Sequence, residues 1–180
     1  MVDKDIEKKD KEQKTKANKE HKKKDKKKNV LLVEDNPGDI LITKEAFDQA
    51  EIKADMSIAK DGEEAINFLS KVKKLEEGAK KPDLVLLDLN LPKVNGKEVL
   101  KIIKKDKKLK RIPVVILSSS DNKEDIKFTY DLQANCYVKK PSNMHHFITI
   151  AKSIGDFWLN KAISPKDAEL EEDEGEDEEE

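Results

Sequence analysis

Leu84-Val85-Leu86-Leu87-Asp88 is four consecutive apolar residues closed by a carboxylate, and Val114-Val115-Ile116-Leu117-Ser118 repeats the pattern with a hydroxyl at its end. Neither run alternates apolar with polar side chains, so each needs cover on both faces, as a parallel strand flanked by helices has. Working outward, shorter runs of the same texture stand at Val30 to Val33, Met56 to Ala59 and Cys136 to Val138. All are of strand length. Between them lie helical signals. Asn36-Pro37 reads as a cap and first helical position, followed by Ile40, Thr43, Phe47 and Ala50 at spacings of three and four. Further stripes occur at Ala65, Leu69 and Val72, at Val99, Ile102 and Ile103, at Ile126 and Tyr130, and from Met144 to Trp158. Five strands alternating with five helices demand right-handed crossovers and a mainly parallel sheet with helices on both faces, a doubly wound α/β fold.

Charge divides the chain into three parts. Of the 180 residues 42% are charged, against roughly a quarter in an ordinary domain. Residues 1–28 hold 13 Lys and 7 acids, residues 164–180 hold 1 Lys and 11 acids, and the 135 residues between them hold 23 basic and 21 acidic side chains. The basic arm 1–28 and the acidic tail 164–180 have too few apolar side chains to offset the entropy of ordering, and both are predicted to be disordered. The body, 29–163, has the size of one domain with one core. No apolar run approaches a membrane span and the Lys-rich start lacks a signal peptide's apolar stretch, so a cytoplasmic protein that does not meet the membrane is expected. The lone cysteine, Cys136, excludes an internal disulfide and a cysteine-based zinc site.

In an open parallel sheet, ligands bind beyond the carboxyl ends of the strands. Glu34 and Asp35 follow the first strand, Asp88 the third, Ser118 and Ser119 the fourth, and Lys140 the fifth. If the first and third strands are neighbours, three carboxylates converge, and their joint ionisation calls for a cation. Hard oxygen ligands without His or Cys suit magnesium, which keeps waters and also takes phosphate oxygens. Lys140 can neutralise a phosphoryl oxygen, Ser118 can donate a hydrogen bond to another, and Asp88 is the expected nucleophile.

These residues resemble the receiver domain of two-component response regulators, with its CheY-like, flavodoxin-type fold. The resemblance spans roughly residues 29–162. It rests on Leu32-Val33-Glu34-Asp35, on Leu86-Leu87-Asp88-Leu89-Asn90-Leu91-Pro92 with Gly96, on Val115-Ile116-Leu117-Ser118, and on Tyr137-Val138-Lys139-Lys140-Pro141. Glu34-Asp35-Asn36-Pro37-Gly38-Asp39, the stretch from Thr129 through Tyr137, and the Phe157-Trp158 helix are similar to the stand-alone phytochrome-associated regulators.

The resemblance implies the strand order 2-1-3-4-5. It also implies that Asp88 takes a phosphoryl group from a sensor histidine kinase, phytochrome-like in this subgroup, to form a 4-aspartylphosphate. Asp35, Asp88 and the backbone carbonyl of Asn90 would hold Mg2+ directly, and Glu34 through water. Lys140 would pair with the phosphoryl group across a cis Lys140-Pro141 bond, and the backbone at Asn90 and Ser119 would contact it. Ser118 and Tyr137 stand where the family places a switch hydroxyl and a rotating aromatic, so phosphorylation would shift a conformational population. Three departures accompany the match: the acidic pair is Glu-Asp, the switch hydroxyl is Ser, and 53 positions separate Asp35 from Asp88. The additional length is assigned to a longer second helix and loop at Lys73 to Pro82.

The last helix carries two apolar stripes where one would serve for packing, which predicts a homodimer through the Phe157 and Trp158 helix. Tyr137 as simple packing and Ser118 as a cap are the alternative readings of those residues. Lys139 is expected to be solvated, and Cys136 and the His145-His146 pair are assigned no chemistry. The arm holds acids among its lysines and no aromatic residue, which argues against nucleic acid. With no output module after residue 163, output falls to a downstream protein target, or the chain is a phosphate shuttle or sink. Two rival functions remain: a phosphorylation-independent binding module, and a magnesium-dependent aspartyl phosphohydrolase. The latter would need an acid where Asn90 stands.

Overall fold

The computed structural model describes residues 27–163. The strands are β1 (Lys28–Val33), β2 (Ala54–Ala59), β3 (Leu84–Leu87), β4 (Val114–Ser118) and β5 (Cys136–Lys139). The helices are α1 (Pro37–Gln49), α2 (Gly62–Lys74), α3 (Gly96–Lys105), α4 (Lys123–Asp131) and α5 (Met144–Gly155). All the strand pairs are parallel, in the order β2-β1-β3-β4-β5, as expected. Lys28, assigned by composition to the arm, opens β1 and sits level with Ala54. The rest of the arm but Lys27, and the whole tail 164–180, lie outside the described residues.

Alternate residues of each strand feed two cores. Leu31, Val33, Val85, Leu87, Val114 and Ile116 pack under α2 and α3 against Leu69, Val99 and Ile103. Val30, Leu32, Leu84, Leu86, Val115 and Leu117 pack under α1 and α5 against Phe47, Phe147 and Ile154. Every residue of β3 and β4 is buried, whereas β2 and β5, with one neighbour each, are only half covered. Unbroken apolar runs thus mark the strands with cover on both sides.

The helices depart from the expected stripes in three places. Ile102 stays 39% exposed because Val99, Leu100 and Ile103 already fill the α3 face. On α4 the buried residue is Thr129, while Tyr130 lies out beside edge strand β5 and its hydroxyl accepts from the Tyr137 amide at 3.3 Å. The last helix does not continue unchanged to Trp158. It widens after Gly155 into a π-type turn over Asp156–Lys161, closed by the Ala162 amide donating to the Phe157 carbonyl at 2.7 Å.

The additional length between α2 and β3 goes into the loop, since α2 has the same 13 residues as α1. Leu75 ends α2 in the left-handed conformation, φ 57°. The Glu76 amide then closes the turn on the Lys71 carbonyl at 3.1 Å, a Schellman-type stop. No helix among the described residues is long and apolar enough to cross a membrane.

Candidate functional site

Strand register brings the polar ends together. Val33 pairs with Leu87 and Ser118 with Lys139, so the residues just past β1, β3, β4 and β5 emerge side by side at one edge of the sheet. The ladder extends a step beyond the strands themselves. The Glu34 amide donates to Ala59 at 2.9 Å, the Asp88 amide to Val33 at 3.0 Å, and the Lys140 amide to Ser118 at 2.8 Å. Each functional side chain therefore springs from backbone already fixed by its neighbour.

Lys140 is the hub. Its ammonium donates to Glu34 Oε2 at 2.6 Å, to Asp39 Oδ2 at 2.7 Å and to Asp88 Oδ2 at 2.7 Å. The Lys140 side chain is 9% exposed, that of Glu34 2% and that of Asp88 5%. Burial opposes the ammonium charge, but its hydrogen bonds to Asp39, Asp88 and Glu34 outweigh it and hold Lys140 above the usual lysine range. Burial pushes the Glu34 carboxyl up, and the bond and charge of Lys140 only partly counter it. Three carboxylates share one cation, so the site has room for further positive charge.

An oxygen from each of Glu34, Asp35 and Asp88 lies within 4.8 Å of the others. Glu34 and Asp88 are buried and Asp35 opens to solvent, leaving a face where a cation could keep its waters. This all-oxygen cluster suits a hard divalent metal. Asp88 Oδ1 accepts from the Asn90 amide at 3.2 Å, and Glu34 Oε1 from the Asn36 amide at 3.2 Å. Asn36 itself caps α1, accepting from Gly38 and Asp39. Gly96 starts α3 hard against the other side of the site. A Cβ there would stand 2.0 Å from the Asp88 carbonyl oxygen, so only glycine lets the helix approach.

Ser118 is fully buried, and its hydroxyl accepts from the Ser120 amide at 3.4 Å. Ser119 is exposed at the same strand end. The Tyr137 hydroxyl donates to the Ser120 carbonyl at 2.9 Å, bracing the loop after β4. Burial pushes its phenol up, keeping it a donor. Lys139, expected to be solvated, pairs with exposed Asp121. Burial likewise pushes the Cys136 thiol up, away from thiolate chemistry.

Two features differ from the sequence reading. No peptide bond among the described residues is cis, so Lys140-Pro141 is trans, and across it the Lys140 ammonium still reaches Glu34, Asp39 and Asp88. Asp39 was not among the expected site residues. An acid in a helix's first turn is usually explained by the helix dipole, and no local spacing distinguishes Asp39 from such an acid; only the contact with Lys140 places it in the site.

The fold and site have clear relatives. Residues 30–152 match the family model for the response regulator receiver domain. Response regulator Rcp1 of Synechocystis sp. is 40% identical over 138 residues, 77% of this chain and 93% of that protein. The probable methanogenesis regulatory protein FilR2 of Methanothrix harundinacea is 36% identical over 138 residues, 76% of this chain and 86% of that one. Among solved structures, the phosphorylated cyanobacterial phytochrome response regulator RcpA superposes with TM-score 0.72 at 44% identity, covering 78% of this chain and 99% of that one. The Mn2+-bound form of Rcp1 superposes with TM-score 0.70 at 40% identity, covering 77% and 99%.

Proposed function

The chain belongs to the response regulator receiver family of two-component signalling, and from that premise we propose that Asp88 is its phosphoacceptor, fed by a sensor histidine kinase. A carboxylate oxygen of Asp88 attacks the phosphorus of a phosphohistidine. The new P–O bond forms as the P–N bond breaks, and the electron pair returns to the imidazole ring nitrogen. The product is an acyl phosphate on Asp88. The observation that carries this reading is the single ammonium of Lys140 shared among three carboxylates, two of them buried.

Glu34, Asp35 and Asp88, with the Asn90 carbonyl, would hold Mg2+, which when bound supplies the positive charge that gathers phosphoryl oxygens. The Lys140 ammonium neutralises another phosphoryl oxygen as a point charge. The Ser118 hydroxyl donates to a further one, assisted by the backbone amide of Ser119. Pulling Ser118 toward the phosphoryl group loosens the loop that Tyr137 braces through Ser120, and Tyr137 rotates into the space left behind. The surface around α4 and β5 then changes for a downstream protein target. A shift from 1:99 to 99:1 needs about 5.5 kcal/mol of differential interaction, within the reach of several charge-assisted hydrogen bonds.

In this role the chain is a signalling phosphoacceptor rather than an enzyme acting on external substrates. RcpA is a cyanobacterial phytochrome response regulator, and RtBRR, 32% identical to this chain, is a bacteriophytochrome response regulator, which supports a phytochrome-type kinase as donor. Phe157, 55% exposed and edge-on to Trp158, supports pairing with a second copy through that turn.

Incubation with acetyl phosphate and Mg2+ followed by intact mass tests the acceptor. One added phosphoryl group, lost in Asp88→Asn and on chelation, is expected. A folded chain that neither labels nor responds to a beryllofluoride probe would overturn the proposal.

A further inference from the structure

At the opposite end of the sheet, where α2 and α3 finish, a cleft of about 350 Å³ is lined by Lys73, Lys81, Lys107, Lys108 and Arg111. Its lining contains no acidic residue. Lys73 already pairs with Asp106 at 2.6 Å, and Lys108 donates to the Lys73 carbonyl at 3.2 Å, which accounts for part of this charge as complement to the α2 terminus. Lys81, Lys107 and Arg111 come from other segments and converge on the same opening. The cleft also has an apolar element: Leu75, held left-handed at the end of α2, is 81% exposed. Cations beside an exposed leucine suit an acidic peptide that also carries an apolar side chain.

We infer that this cleft docks the chain's own acidic segment 164–180. The segment carries 11 acids, and Leu170 is its one large apolar residue, set in Glu169-Leu170-Glu171-Glu172-Asp173-Glu174. That pattern is complementary to the cleft in charge and in its apolar centre.

The place of departure is also right. A Cβ on Gly155 would touch Ile52, which leads into β2, so α5 ends at the amino ends of the strands, the same end as the cleft. The 17 residues after Ile163 can span about 56 Å when extended, and a domain of this size is roughly 37 Å across. The tail can therefore reach the cleft from the far helix layer.

The basic arm is the competing partner. Its 13 lysines are interleaved with 7 acids, whereas the cleft presents cations of one sign around an apolar floor, which focuses the field. The contact is ionic and solvent-facing, so salt weakens it.

Zero-length carbodiimide crosslinking of the full chain at low salt, read by peptide mass spectrometry, tests the inference. Amide links from tail carboxylates should concentrate within the monomer on Lys73, Lys81, Lys107 and Lys108. They should fall at least five-fold in about 0.5 M salt, and as far in a K107E/R111E variant whose thermal melt shows it folded. Leu75→Ser should reduce them with no change of charge. Links chiefly to the lysines of residues 1–28, links spread evenly over surface lysines, or links chiefly between molecules would each overturn it.

Discussion

The two ends of the sheet carry opposite charge and handle it differently. At the carboxyl end one ammonium serves three carboxylates, and the lysine, Glu34 and Asp88 are withdrawn from water. At the amino end five cations surround an open cleft, and Lys73, paired there with Asp106, is 53% exposed. Burial, more than the number of charges, separates the two. Coulomb interactions in the interior are strong and removing a partner is costly, while those at the surface are screened and nearly free to change. The first arrangement ties charge at the strand ends to a buried network, and the second suits reversible contact.

The sharpest break in this comparison is Lys140→Met, which strands the buried carboxylates of Glu34 and Asp88. A loss of about 3–5 kcal/mol in urea unfolding without divalent metal is expected. A loss below 1 kcal/mol would mean the trio is solvated after all. Glycines give the next contrast. Gly96→Ala drives a Cβ into the Asp88 carbonyl and should cost about 3 kcal/mol. Gly78→Ala meets nothing within 4 Å and carries only its φ of +78°, which should cost about 1 kcal/mol.

Titration sharpens the comparison further. Despite burial, hydrogen bonds to Asp39, Asp88 and Glu34 raise the Lys140 pKa in the folded state above the ordinary lysine value of 10.5. Its stabilisation is therefore complete below that pH and declines as pH climbs from about 10.5 toward the folded value. Wild type should lose stability over this range more steeply than Lys140→Met, by chemical denaturation at fixed salt. Parallel profiles would remove Lys140 as the source. Glu34 carries the same sign at lower pH: burial raises its carboxyl above the ordinary 4.5, so native stability also falls as pH rises past that value. The smallest effect belongs to the amino end, where Lys107→Ala should alter stability by no more than about 0.5 kcal/mol.

Much of this was legible in the chain because the relevant signals are local. Leu84 to Leu87 and Val114 to Leu117 announce central strands by their lack of alternation, and both prove buried throughout. The polar residues past the strands then fall at one edge by topology alone, which is why Glu34, Asp88 and Lys140 meet. What escaped was set by neighbours. Asp39 joins the site because α1 leaves Asn36 at an angle that turns its first turn back over Lys140, and no spacing rule encodes that angle. Tyr130 looked like a core position by helical spacing, yet α4 lies at the sheet's edge, where its hydroxyl meets an edge-strand amide. Lys140-Pro141 was expected cis by resemblance, and the trans bond delivers the same ammonium to the same carboxylates.

The most direct measurement locates the phosphoryl group itself. Chain labelled with acetyl phosphate is reduced with borohydride, which cleaves an acyl phosphate to the alcohol, and the modified residue is found by peptide mass spectrometry. The proposal predicts reduction at Asp88 alone. Modification at Asp35, Glu34 or Asp39 in a folded chain, with Asp88 untouched, would contradict it.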